Sequence, residues 1–241
     1  FAFLADLILQ HSHGAHTIVA LQDQTSGTTR FANNQVVQNV NSRRVSLSIS
    51  VAFGQQQATA VTTDLSVGSV RETLTRAETL ATASPADPEY LPPLEQQTYL
   101  DRPTHRLETA ETGPDRRIAE VRQAVEQCRA ADCSAAGIVS SSHSAVGLAA
   151  DTGLFAYEPR TDARFSLTAT RGESTGWASA AHRSIDHLQV SDRTALAIDK
   201  ARRGDSAIEL SPGRYTVVLE PAAAAGLWTW VPVRALRNST M

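Results

Sequence analysis

Three groups of residues in this 241-residue chain have types and spacings that could do chemistry. His11, His13 and His16 form an H-x-H-x-x-H cluster, and neutral imidazoles are good zinc ligands. A structural zinc site needs four convergent ligands, and no carboxylate or thiolate stands nearby in the sequence. At a helix end, histidines pair equally well with exposed carbonyls and the helix dipole. Gly172-Glu173-Ser174-Thr175-Gly176 matches the G-x-S-x-G of a nucleophile elbow, with His182, Asp186 and His187 available as triad partners. An elbow needs a strand before it and a helix after it in a parallel sheet. Here the flanks, TATR and WASAAH, read as two antiparallel strands, so the five residues read as a hairpin loop. Cys128 and Cys133 are spaced neither as C-x-x-C nor as half of a double pair, and Cys128 reads as a small buried hydrophobe. Asn238-Ser239-Thr240 is a glycosylation sequon by pattern, without a secretory signal to use it. The chain contains no G-x-G-x-x-G, no Walker loop and no H-E-x-x-H.

Composition bounds what such residues could serve. Apolar residues make up 41% and charged residues 20%, as in a soluble globular chain. A net charge of -3 excludes a nucleic-acid binder that works through bulk charge. No stretch is apolar enough for a membrane span, and the opening FAFLADLIL carries Asp6 and lacks a basic start, so it is no signal peptide. Two cysteines make no disulfide scaffold, and a cytoplasmic location is expected. The chain begins at Phe1 in helix-like text, which predicts a fragment.

The elements that must position these residues follow a plan used twice. Residues 1–13 read as a helix with Phe1, Leu4 and Ile8 on one face and Gly14 as its cap. Thr17–Leu21, Phe31–Val40 and Val45–Phe53 alternate as strands, with turns at Ser26-Gly27, Asn33-Asn34 and Gly54. A helix capped by Ser66 or Asp64 carries Val70, Leu74, Ala77 and Ala81. Residues 84–114 hold six of the ten prolines and read as an extended linker. A second helix starts at Pro114, with Ile118, Val121, Val125 and Cys128 on one face. Strands are predicted at 136–142, 145–150, 153–158, 163–170 and 176–182, and a helix at about 192–203. Tyr215–Leu219 reads as a strand, Ala222–Trp230 as a helix stopped by Pro232, and 233–241 has no pattern. The fold class is α+β: two helix–antiparallel meander–helix units joined by a Pro-rich linker, then the start of a third, β-rich region. The expected divisions are an N-terminal domain 1–84, a linker 85–114, a central domain 115–209 and a truncated C-terminal start 210–241.

An ordered series of segments resembles the TldD/PmbA family, whose PmbA branch is also called TldE and which carries the label modulator of DNA gyrase. The series is RFANNQVVQNV (30–40), VSLSISVAFG (45–54), TDLS (63–66), CSAAGIVSSS (133–142), ADTGLFAY (150–157), GESTGWAS (172–179), AIDKA (197–201) and LSPGRYTVVLEPAAAAGL (210–227). The resemblance implies cytoplasmic proteins longer than this chain, with N-terminal and central α/β regions and a β-rich C-terminal region. It implies that TldD-type subunits are zinc peptidases carrying H-E-x-x-x-H and a later cysteine. PmbA-type subunits lack that motif and pair with them, and the pair trims and degrades flexible peptides. Where the motif would fall, after Pro221-Ala222, this chain reads AAAGLWTWVPV. No catalytic, cofactor or metal residue is therefore carried over.

The expectation is the N-terminal and central portion of a PmbA-like protein, inactive by itself. Zinc would belong to a TldD-type subunit, and the partners would be that subunit, or a second copy, and unfolded peptide, with neither nucleic acid nor membrane. A non-catalytic module that holds peptides by strand addition is the first alternative. A serine hydrolase built on Ser174 is the second. A gyrase-binding role follows from the family label alone.

Overall fold

The computed structural model describes residues 1–228. Residues 1–206 form one compact unit, and the chain from Ala207 forms a second. The first unit runs α1 (Ala2–His11), β1 (His16–Ala32), β2 (Gln35–Phe53), β3 (Gln56–Thr62), α2 (Val67–Ala83), α3 (Leu107–Ala110), α4 (Pro114–Ala130), β4 (Ser134–Ala150), β5 (Phe155–Arg171), β6 (Ser174–His182), a 3-10 turn (Ile185–His187) and α5 (Val190–Gly204). The class is α+β, and both helix–meander–helix units are present. They share one sheet: β1 pairs antiparallel with β4 from Ile18↔Ala150 to Phe31↔Gly137, giving the order β3-β2-β1-β4-β5-β6.

The repeat is in register. Adding 118 to both numbers turns Leu21↔Leu47 into Val139↔Phe165, and Ile49↔Ala60 into Leu167↔Ala178. A shift of 120 turns the buried Val70, Leu74, Ala77 and Ala81 of α2 into Val190, Thr194, Ala197 and Ala201 of α5. The shift of 118 takes Thr25 to His143, its own partner across β1 and β4, so a local two-fold axis crosses the sheet at that pair. The halves share few residue types at equivalent positions, which is why the repeat is visible in pairing rather than in sequence.

Two clusters cover one face of the sheet. Ile8, Val70 and Leu74 pack on Val19, Leu21, Leu47 and Ile49, while Val121, Val125 and Ile198 pack on Phe31, Val139, Phe165 and Leu167. Val19, Leu21 and Phe31 are all odd-numbered on β1, which places both clusters on the same face. Ser66 caps α2, its hydroxyl accepting from the Ser69 N–H at 3.4 Å, and Pro114 starts α4.

Several local expectations need correction. Ser26-Gly27 is no turn but mid-strand, because Gly27 lies beneath the Arg117 side chain, where a Cβ would overlap the guanidinium. The predicted breaks at 143–144 and 159–162 are absent: β4 and β5 run straight through them. Pro159 is accommodated because it sits on a stretch of β5 that β6 does not reach. Helix α1 stops at His11, where the Ser12 N–H bonds the Ile8 carbonyl at 2.9 Å, so Gly14 is not its cap. In the second unit, Tyr215–Leu219 is not a strand; among its described residues no strand is present to pair with it. A helix covers 221–228, and the end of its predicted span and the tail, with Asn238, lie outside the described residues.

Gly176 lies where α5 meets the backbone of β6, and an added Cβ would overlap the Ala197 carbonyl. Gly176→Ala is expected to lower stability by about 1–3 kcal/mol. The measurement is a urea unfolding curve, whose midpoint should fall at unchanged slope.

Candidate peptide-docking edge

The residues with possible chemistry are placed apart. The His11 Nδ1 lies 2.8 Å from the Leu7 carbonyl, His13 contacts Glu78 and His16 contacts Asp151. Among the described residues no group of three His, Cys, Asp or Glu is placed to hold a metal. Imidazole and carboxylate are zinc donors, but these three histidines turn to three separate partners and do not converge on one point. The G-x-S-x-G segment is a two-residue hairpin between β5 and β6: Arg171 pairs with Ser174, and Gly172 supplies φ +56°. Ser174 packs under Gly204 at one end of β6, and His182 stands at the other, about 26 Å away at the rise of a strand. Asp186 pairs with Arg116, and His182 stacks edge-on with His187 at 4.5 Å. No triad forms on Ser174.

Cys128 and Cys133 are both buried and unbridged. Burial, with Cys133 beside it, pushes the Cys128 thiol up from 9.0 to about 11, and burial also raises Cys133. Arg171 and Arg202 offset part of the rise at Cys133, but neither thiol has the open setting of a reactive thiolate.

The arrangement with binding capacity is an edge. β3 pairs with β2 only over Leu47–Phe53, so β2 is an edge strand from Gln35 to Ser46. Its residues 35–44 are all exposed. The Phe53–Gln56 hairpin has two loop residues, so Phe53 and Gln56 form its hydrogen-bonded closing pair. Alternation then turns the backbone groups of odd residues toward β3, and beyond β3 those of Asn39, Asn41, Arg43 and Val45 face outward. No described strand lies alongside them. Of the usual devices that blunt an edge, Pro and Lys are absent from 35–46, while Arg43 and Arg44 place charge on its far half and one bulge falls where Phe31 pairs with Val36 and Arg30 with Gln38. A groove of about 280 Å³ flanks the start of this edge, lined by Val36 and by Val121, Arg122, Val125, Glu126 and Arg129 of α4.

Beneath the edge lies Arg117, 1% exposed. Its Nε donates to Thr29 Oγ1 (3.3 Å), Nη1 to the Thr112 carbonyl (3.3 Å) and Ser141 Oγ (3.4 Å), and Nη2 to Asn39 Oδ1 (3.3 Å) and Asn41 Oδ1 (2.5 Å). All acceptors are neutral, and burial lowers its pKa. The guanidinium therefore ties α4 to three strands and fixes the side chains of two of the four outward-facing residues. Sequence reasoning allowed strand addition at a meander edge without placing it on β2, and it missed Arg117; the signal available was N-x-N followed by polar text where an apolar half-strand was expected.

Residues 108–211 match the family model described as the PmbA/TldA metallopeptidase central domain. No curated protein matches the chain. Among solved structures, the fold is similar to TldE from Thermococcus kodakarensis, with TM-score 0.71 and 14% identity over 83% of this chain and 46% of that one. It is similar to a protein from Thermotoga maritima described as a modulator of a DNA gyrase, with TM-score 0.69 and 13% identity over 78% of this chain and 44% of that one. A protein from Bacteroides thetaiotaomicron described as a modulator of DNA gyrase gives TM-score 0.74 and 14% identity over 95% of this chain and 54% of that one. The chain thus spans about half the length of the structures it matches. At such identities the likeness is one of fold.

Two outcomes are expected. Arg117→Ala removes the donor from five neutral acceptors and should cost about 2–4 kcal/mol, measured by chemical denaturation. Iodoacetamide at pH 8 should leave both thiols unmodified in the native chain and label both in urea. Because the folded-state Cys128 value is raised, its contribution is complete below 9.0 and is lost as pH rises toward about 11.

Proposed function

We propose, from a chain that its central domain makes a member of the TldD/PmbA family, a PmbA-like, non-catalytic role in a peptidase system acting on unfolded peptides. The chain holds an extended peptide along the outer edge of β2, while the zinc and the cleavage chemistry belong to a TldD-type partner subunit. The single observation that carries the reading is the row of outward backbone groups at Asn39, Asn41, Arg43 and Val45 with no described strand beside it.

Strand addition suits such a task. Backbone donors and acceptors are the same in every unfolded peptide, so an edge recognises extension rather than sequence. The seven residues from Asn39 to Val45 offer roughly 20 Å of ladder. Arg117 holds Asn39 and Asn41 of the host strand, so little of the binding energy goes into ordering it.

The test is a titration of the whole chain with a fluorescent unfolded peptide, with and without EDTA, alongside a casein-cleavage assay with added zinc. The expected result is binding that survives the chelator and no cleavage. Zinc-dependent cleavage by the isolated chain would overturn the non-catalytic role. Absence of any peptide binding, or binding that leaves the β2 amides unshifted, would overturn the edge.

A further inference from the structure

The local two-fold axis makes the outer edge of β5 the counterpart of the outer edge of β2, and the chain itself occupies one of the two. β6 pairs with β5 only from Ala163 onward, as β3 does with β2 from Leu47. The hairpin logic that turns Asn39, Asn41, Arg43 and Val45 outward on β2 turns Phe155, Tyr157, Pro159 and Thr161 outward on β5. The observed bonds agree. The Thr161 N–H donates to the Thr104 carbonyl at 3.0 Å, and Thr104 Oγ1 donates to the Pro159 carbonyl at 2.7 Å. The Phe155 N–H donates to Gln96 Oε1 at 2.9 Å. Every one of these contacts uses an odd residue of β5, and every partner lies in the Pro-rich segment between α2 and α3.

That segment therefore serves as an internal guest. It runs with rising number along rising β5 number, Gln96 at Phe155 and Thr104 at Thr161, so it lies parallel to the strand. Only one of the contacts is backbone to backbone; Thr and Gln side chains make the others, and Pro103 precedes the contacting Thr104. An extended, proline-bearing chain cannot offer an unbroken ladder, and side-chain amides and hydroxyls replace the missing donors. Subtracting 118 places the β2 equivalents at Arg43 for Thr161 and Asn41 for Pro159.

We propose that the β2 edge takes an extended, polar, proline-bearing peptide lying parallel to β2, its N-terminal side at Asn39 and its C-terminal side at Val45. This rests on the peptide-holding reading above and adds the class and the direction of the guest. The Arg43 N–H is the donor that matters most, as the counterpart of the Thr161 N–H.

The test uses the whole chain and a synthetic peptide of residues 92–106 carrying a spin label at either end, read by amide NMR. The expected result is shifts at Asn39, Asn41, Arg43 and Val45, with the N-terminal label broadening Asn39 most and the C-terminal label broadening Val45 most. Arg43→Pro should weaken binding about tenfold, the scale of one backbone hydrogen bond, while Arg43→Ala keeps it. Both variants are checked for melting temperature, and should Arg43→Pro fail to fold, the label positions decide. Reversed broadening overturns the proposal, as does equal binding by Arg43→Pro when folded. It is also overturned if the peptide only exchanges at β5, or fails to bind while a proline-free unfolded peptide of the same length shifts the β2 amides; either result leaves the peptide-holding reading standing. If neither peptide shifts β2, both readings fall together.

Discussion

The structure depends on one side chain lying across the polar middle of its sheet. Arg117 is the largest fully buried side chain among the described residues, and it faces no carboxylate. A buried guanidinium is costly unless its donors are met, and here the Thr, Asn and Ser oxygens and one carbonyl meet them. Those oxygens come from β1, β2, β4 and the turn before α4. Gly27 is required beneath it, because any side chain at that point of β1 would occupy the same space. The two apolar clusters flank this polar middle, each on its own half of the sheet.

The same arrangement explains why the exposed half of β2 stays a strand. Its residues bury nothing on either face, so packing alone would not hold them. Pairing with β1 along its whole length and the Asn39 and Asn41 bonds to Arg117 supply the order instead. Asn34 adds a clamp at the hairpin tip: its Oδ1 accepts the Ala135 N–H at 2.8 Å and its Nδ2 donates to the Cys133 carbonyl at 3.1 Å. Asn33 and Asn34 both take positive φ, as a tight hairpin of this kind demands. The result is a tied-down strand with no described strand along its outer side.

Much of the architecture was legible in the chain because the halves obey local rules. The alternation through Val45–Phe53, the Ser66 cap and Pro114 each predict the element that forms, and the flanks of G-x-S-x-G predict a hairpin. What was not legible depends on distant contacts. Ser26-Gly27 looks like a turn because nothing nearby in sequence announces Arg117, ninety residues on. Pro159 looks like a break because only the point where β6 stops makes it an edge position. The joining of two meanders into one sheet rests on β1 pairing with β4, a contact between strands with little shared sequence pattern. The unpaired stretch of β2 shares this character: it is defined by where β3 stops, and N-x-N with the polar text after it is its only mark in the sequence.

A single polypeptide can tie two symmetric halves together only once. The connector must leave one half and enter the other, so it can shadow only one of two equivalent margins. The chain that links α2 to α3 first bonds the β2–β3 turn at Gln55 and Gln56 and then passes β5, and none of its described bonds reaches residues 39–45 of β2. Covalent continuity alone thus breaks the symmetry that the strand pairing builds. Among the described residues, a sheet with two matching margins becomes one with a margin the chain itself bonds and a margin it leaves unpaired, and the molecule gains a direction that its strand pairing by itself does not possess.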